Sequence, residues 1–383
     1  MTEEDSSEAC YSDFMKKSSL LLVFGFLFLS ACTKKAPAPE VKPSPTPGAV
    51  ATPVATPASL KAATPEEQSL AFQVFAAQGA SPNNTLVVPE AFKETFSTFE
   101  PSLSGARKTF LRQVFNFDQK APVTDWMKTE SFVFSKGSKP AKSSTATAAR
   151  LDPNAIHDLL KEQQINEKEI DPILESKVSK LFLTMSHLQI TLDLSFDPKH
   201  LNSVLFHSSP SQIEKVKAIK LTDSFPYAVV QNARWISIPL ANGGDEELLL
   251  ALPEKNQTIE KLAEGLNAKQ IQDVEGKLKN QTVELTLPQF SFSQMASLKT
   301  FYSLVGWADF FSGGGEFKSS GGGSYDLIQL LRLDVKGQEK QEKKPKMVIG
   351  LSEKFEATQP FLFVLKNKRS GKVDILGKLY SAI

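Results

Sequence analysis

The stretch FEATQPFLFVLKNKRSGKVDILG, Phe355 to Gly377, decides how the rest of the chain is read. Phe361, Leu362, Phe363, Val364 and Leu365 form an unbroken apolar run, the pattern of a strand buried on both faces. Lys366 to Gly371 is a polar turn that ends in glycine, and Val373, Ile375 and Leu376 begin a return strand. Pro360 stands just ahead of the first strand, where a missing N–H is tolerated. The segment therefore predicts a buried antiparallel hairpin.

Around it lies enough chain for one large domain: 383 residues, 41% of them hydrophobic. A net charge of +1 gives no electrostatic reason to expect nucleic acid or an acidic membrane as partner. Cys10 and Cys32 are the only cysteines, so neither a disulfide framework nor a cysteine metal site is available. His157, His187, His200 and His207 are scattered without metal-ligand spacing and read as surface or hydrogen-bonded structural residues. The glycine clusters 313–315 and 321–323 lack the Lys-Ser/Thr of a phosphate loop and read as turns. There is no G-x-S-x-G elbow, metal constellation or nucleotide motif. No catalytic residue, metal or cofactor is expected, and the enzyme reading is weak on these grounds.

The N-terminus reads as an address. Residues 1–14 are acidic and fit no signal peptide, so the expected start is Met15. Met15-Lys16-Lys17 is basic, and Ser18 to Leu29 is apolar but too short for a comfortable membrane span. Leu29-Ser30-Ala31-Cys32 resembles a bacterial lipobox. That resemblance implies a signal peptide over 15–31 and lipidation of Cys32, with the membrane as partner through the lipid. Thr33 is not Asp, so the inner-membrane retention signal is absent and the outer membrane is expected. Residues 32–63 are rich in Pro, Ala, Thr and Lys and cannot build a core. They read as a tether that reaches about 100 Å at roughly 3 Å per residue. The folded domain is expected over 64–383, beginning with a helix start at Thr64-Pro65-Glu66-Glu67.

Along that domain several blocks fall in order. Asn84 to Pro89 is a short strand stopped by proline, Ala91 to Phe99 is helical, and Gly105-Ala106-Arg107 opens a further helix. Glu130 to Gly137 reads as a strand, Ser138 to Ala149 as loop, and Ile156 to Leu181 carries helical periodicity. Leu181 to Phe196 reads as a long strand. Trp235 to Leu240 and Leu248 to Leu252 flank a turn at Asn242 to Asp245, and a helix over Thr258 to Leu266 follows. VELTLPQF (283–290) and the run LKTFYSLVGWADFF (298–311) complete the set. These blocks, with the C-terminal F-x-A…P-F-L-F, resemble the serpin family; Thr358 departs from the usual Asp or Asn. The resemblance implies a mixed α+β fold with three β-sheets, eight or nine helices and an exposed reactive loop. A monomer is expected.

In inhibitory serpins a protease cleaves that loop, which then inserts as a new central strand of the main sheet and distorts the acyl-enzyme. The resemblance places the hinge at Gly337, followed by Gln338, Glu339, Lys340, Gln341, Glu342, Lys343, Lys344, Pro345 and Lys346. Family spacing puts the cleaved bond at Leu351-Ser352, which implies a chymotrypsin-like serine protease as partner. Neither parity of the segment after Gly337 is apolar, and Pro345 would remove a ladder hydrogen bond. Burying an unpaired ion costs several kcal/mol. The family's polar cluster beneath the main sheet maps to Val88, Ala91, Thr184 and Leu327, and its tryptophan to Leu192, which predicts ordinary core there. Two functions follow: a surface-tethered protease inhibitor, or a non-inhibitory binding or structural lipoprotein of the same fold.

Overall fold

The computed structural model describes residues 67–115, 117, 124–136, 146–176, 178–196, 201–209, 211–242, 244–312, 324–339 and 352–382. The expected helix cap at Thr64, and the whole of residues 1–63, lie outside them. The strands, in chain order, are β1 (Thr85–Val87), β2 (Met127–Ser135), β3 (Thr147–Arg150), β4 (Lys180–Phe196), β5 (Asn202–Ser209), β6 (Gln212–Val230), β7 (Ala233–Pro239), β8 (Glu246–Pro253), β9 (Lys279–Pro288), β10 (Phe290–Ser297), β11 (Tyr325–Glu339), β12 (Glu353–Glu356), β13 (Phe361–Asn367) and β14 (Val373–Leu379). The helices are α1 (Glu67–Gly79), α2 (Pro89–Phe99), α3 (Gly105–Val114), α4 (Pro153–Glu162), α5 (Asp171–Glu175), α6 (Ile259–Gly265), α7 (Ala268–Glu275), α8 (Leu298–Tyr302) and α9 (Ala308–Ser312).

A five-stranded sheet runs β10-β11-β4-β2-β3, and a nine-stranded sheet runs β1-β14-β13-β8-β7-β6-β9-β12 with β5 paired to β6. Where three sheets were expected, the described strands form two, because the long β6 is continuous and pairs a different strand along each part of its length. Along that 19-residue strand Gln212 to Ala218 pairs β5, Ala218 to Tyr227 pairs β9, and Tyr227 to Val230 pairs β7. Two other expectations change. Thr147 to Ala149, read as loop, extends β2's edge as β3, because the backbone there pairs in parallel with Phe132 to Ser135. The helical periodicity that seemed to run to Leu181 stops at Glu175; Val178 and Leu181 face the same apolar cluster, but Leu181 does so from a strand.

The hairpin is β13 and β14, antiparallel from Phe361↔Leu379 onward. Phe361, Phe363 and Leu365 point into the core between the two sheets, whereas Leu362 and Val364 point into the core beneath α1, α2 and α6. That two-sided burial explains the unbroken apolar run. Opposite Phe363 stands Gly377, whose Cα is covered by the Phe363 ring, so no Cβ fits there. Lys366, read as the start of the turn, continues β13 and is buried beside Glu275 and Glu247. Its long stem crosses apolar surface before the ammonium reaches the carboxylates.

The last residues are held by two side chains. Asn84 Oδ1 accepts the Tyr380 and Ser381 N–H groups at 2.7 and 2.9 Å, and its Nδ2 donates to Ser381 O at 2.9 Å. The Glu214 carboxylate accepts from Ser381 Oγ, Ala382 N, Ser208 Oγ and Gln212 Nε2. Burial alone would raise the Glu214 carboxyl; these donors outweigh it and hold it below its ordinary value. Its contribution is therefore present above the ordinary carboxylate range and lost as pH falls through the lowered value. Glu214→Gln is expected to cost about 1–3 kcal/mol at neutral pH, shrinking as the medium is acidified; urea midpoints at neutral and acid pH read the difference, and a cost that grows with acid would contradict it.

Candidate functional site

The site is the junction of β4 and β11. These strands pair in parallel from Tyr325↔Lys180 to Gly337↔Leu192, with a bulge before Gln338↔Ser195 and Glu339↔Phe196. β11 ends at Glu339 in the five-stranded sheet, and the next strand, β12, pairs in parallel with β9 in the other sheet. Gly337, Gln338 and Glu339 therefore end β11, and Ser352 directly precedes β12. Lys340, Gln341, Glu342, Lys343, Lys344, Pro345, Lys346 and Leu351 lie outside the described residues. Arg234 fixes the start of β12: its Nη1 donates to Lys354 O at 2.9 Å while its Nε meets Glu254 at 2.9 Å. An open groove of about 1100 Å³ borders this point, lined in part by His207, Tyr227, Ser352 and Lys354.

Strand alternation gives the seam two different faces. On the outer face, Leu181, Leu183 and Met185 of β4 and Ile328 and Leu330 of β11 pack against Ile156, Leu160, Ile165 and Ile170 of the α4–α5 segment. That segment straps the lower seam. On the inner face, Phe182 and Leu327 belong to the helical core, whereas Leu188 to Leu194 and Leu331 to Val335 belong to the core between the sheets. Between the two cores lies a polar waist. Thr184 faces Gln329 across the seam, and Ser131 faces Thr184 across β2 and β4. Gln329 Nε2 donates to Thr95 Oγ1 of α2 at 3.5 Å, and the Ser131 and Thr184 hydroxyls are 3.4 Å apart. Thr129 and Ser186 continue the row at 3.0 Å. Gln329 is fully buried and its Oε1 has no partner. Glu94 lies at the edge, within 3.4 Å of Ser131 Oγ, and burial pushes its carboxyl up despite that bond.

Above the strap, the outer face carries Asp334. Ser291 Oγ of β10 donates to its Oδ1 at 2.5 Å, and His187 Nε2 of β4 donates to its Oδ2 at 2.5 Å. Burial favours a raised Asp334 carboxyl; the bonds from Ser291 and His187, with Arg332 nearby, prevail and lower it. Although Ser, His and Asp meet here, Asp334 lies between the other two. No imidazole touches the hydroxyl, so the trio is not a Ser-His-Asp hydrolytic triad. Among the described residues no group of His, Cys, Asp and Glu could hold a metal ion.

The family model for serpins, serine protease inhibitors, matches residues 57–382. The chain belongs to the serpin family. Intracellular coagulation inhibitor 2 of Tachypleus tridentatus is 22% identical over 217 residues, 53% of each chain. This serpin spans about half the length of the curated relatives it matches. Among solved structures, SRPN18 from Anopheles gambiae superposes with a TM-score of 0.67 at 16% identity, over 83% of this chain and 97% of that one. The mouse protein-Z dependent protease inhibitor gives 0.66 at 15%, over 84% and 97%. Both likenesses show the fold. Serpins are in general inhibitors of serine proteases and not catalysts.

One expectation is overturned by the seam. Val88, Ala91, Leu192 and Leu327 are buried and apolar as read, but the middle of the sheet is not ordinary core. Its polar groups have moved: Gln329, two residues beyond Leu327, stands beside Thr184, with Thr95 and Ser131 completing the row. The signal was a lone Gln inside the apolar run LIQLLRL (327–333). Of the histidines, His157 and His187 are bonded to Asp171 and Asp334, as a structural reading requires. The waist's long contacts and orphaned amide oxygen make Gln329 a net liability for stability. Gln329→Met, similar in volume without the polar end, should leave stability unchanged or raise it by about 1–3 kcal/mol in urea denaturation; a clear loss would mean that the amide is satisfied.

Proposed function

We propose that this serpin inhibits a serine protease and is held at the cell envelope by a lipid on Cys32. One observation carries the inhibitory reading. β11 pairs directly with β4 as far as Gly337, with no strand between them, while β12, the next strand, pairs with β9 in the other sheet. That arrangement supports Gly337 to Ser352 as the bait, with Leu351-Ser352 as the bond offered and a chymotrypsin-like protease as target. After cleavage, the segment beyond Gly337 would follow β11 back between β4 and β11. Its side chains would alternate between the strap and the inner face, where Leu331, Leu333, Leu188 and Ile190 wait. The polar waist supports a sheet that can part, because the groups it would expose are already poorly bonded.

A second reading rests on the composition of Gln338 to Lys346. Whichever parity turns inward, charged side chains meet the apolar core, at a cost of several kcal/mol for each unpaired ion. That favours a serpin fold kept for binding or structure without insertion. Attachment is supported by the lipobox-like Leu29 to Cys32, the tether 32–63 and the absence of Asp at position 33.

Limited proteolysis of the full chain between residues 338 and 352, followed by thermal melts, separates the readings. Inhibition requires a large upward shift in Tm after cleavage and an SDS-stable complex with chymotrypsin. Cleavage with an unchanged midpoint and no complex would leave the second reading standing. In fractionated cells, Cys32→Ala should move the protein out of the membrane fraction; its retention there would remove the lipid anchor from the proposal.

A further inference from the structure

The carboxylate of Asp334 uses both oxygens to tie three neighbouring strands: Ser291 on β10 through Oδ1 and His187 on β4 through Oδ2. The two bonds are not equivalent in the sheet. Ser291 is the direct register partner of Asp334, so that bond lies straight across β10 and β11. His187 pairs in register with Arg332, and Gln189 pairs with Asp334. The imidazole therefore reaches diagonally over the β4–β11 seam. Its flanking register neighbours are cations, Lys128 on β2 and Arg332 on β11. Asp334 supplies the negative charge among them, its Oδ2 lying 3.5 Å from Arg332 Nε.

Position matters as much as chemistry. Met185 and Leu330 are the last seam residues in the apolar cluster under the strap. His187 and Asp334 come next toward Gly337, where the outer face is open to a groove of about 420 Å³ lined by Gln189, Ser291, Asp334 and Lys336. A strand that folds back from Gly337 meets this bridge before it meets the waist or the strap. The waist contacts of Thr184 and Gln329, the residues that face each other across the seam, are 3.4 and 3.5 Å long, whereas those of the bridge are 2.5 Å and involve a charge.

We infer that Asp334 and His187 are positioning residues of the insertion step, a clasp over the seam that must release before β4 and β11 part, with Ser291 aiming the carboxylate from the side that stays closed. Its role in inhibition rests on the insertion reading above; its effect on the seam does not. Hydrogen–deuterium exchange of the full chain tests it, resolved by peptide, for Asp334→Asn, His187→Gln, the double variant and Ser291→Ala.

Amides bonded between β4 and β11 above Leu330 should exchange about threefold to tenfold faster in Asp334→Asn and His187→Gln. The double variant should be no faster than either single one, and amides of β13 and β14 should keep their wild-type rates. Ser291→Ala should produce the smaller effect. Unchanged exchange at the seam, or an equal rise in both sheets, would overturn the clasp, since a merely stabilising contact loosens the whole molecule. After cleavage between 338 and 352, the same variants should reach the high-Tm form sooner. Faster seam exchange with no Tm shift in any variant would sustain the clasp and reject insertion.

Discussion

The structure depends on the parallel pairing of β4 with β11, two long central strands with no third strand between them. Parallel ladders are slightly weaker per residue than antiparallel ones, so what covers this pair decides how firmly it holds. On the outer face the strap buries five aliphatic or Met side chains of the two strands, each worth about 1.5–3 kcal/mol when fully buried. On the inner face the waist offers neutral hydrogen bonds of about 0.5–1.5 kcal/mol at best, and those of Thr184 and Gln329 are long. The strap therefore dominates the lower seam. The waist contributes specificity of register more than strength: apolar residues above and below it belong to different cores, and a slip by one residue would put Thr184 and Gln329 on the strap side.

Much of this was legible in the sequence, because burial on two faces writes an unmistakable pattern. Phe361 to Leu365 has no polar member, and the structure shows each of those residues wholly buried. The alternation over Leu181 to Phe196 likewise became β4. What stayed hidden depends on contacts between distant segments. No local pattern says that Thr95 on a helix will meet Gln329 on a strand, or that Asp334 will find His187. Edge strand β3 was lost for a related reason: Thr-Ala-Ala-Arg carries no large core-facing side chain, and backbone pairing with β2 holds it, with only Ala149 at the margin of the strap-side cluster. Lys366 was misplaced because charge was read as turn, although a long stem can run through apolar surroundings to a buried carboxylate.

Buried cations also bind the hairpin to the helices. Lys378, fully buried, donates to Gly79 O at 2.6 Å and to Ser81 O, the carbonyls just where α1 ends. Such carbonyls carry the negative end of the helix dipole and lack partners in the helix. Burial lowers the Lys378 ammonium's pKa, and the two carbonyls compensate the charge. A residue that breaks the apolar rule in β14 thereby closes the end of α1, three hundred residues earlier in the chain.

The place of β14 has one more consequence. It lies between β13 and β1, so the earliest strand of the domain has no sheet partner until Leu376 to Lys378 exist. During synthesis the large sheet stays open at that edge, however much of the chain has already been made. Its completion is set by the C-terminal hairpin, not by the strand that is made first.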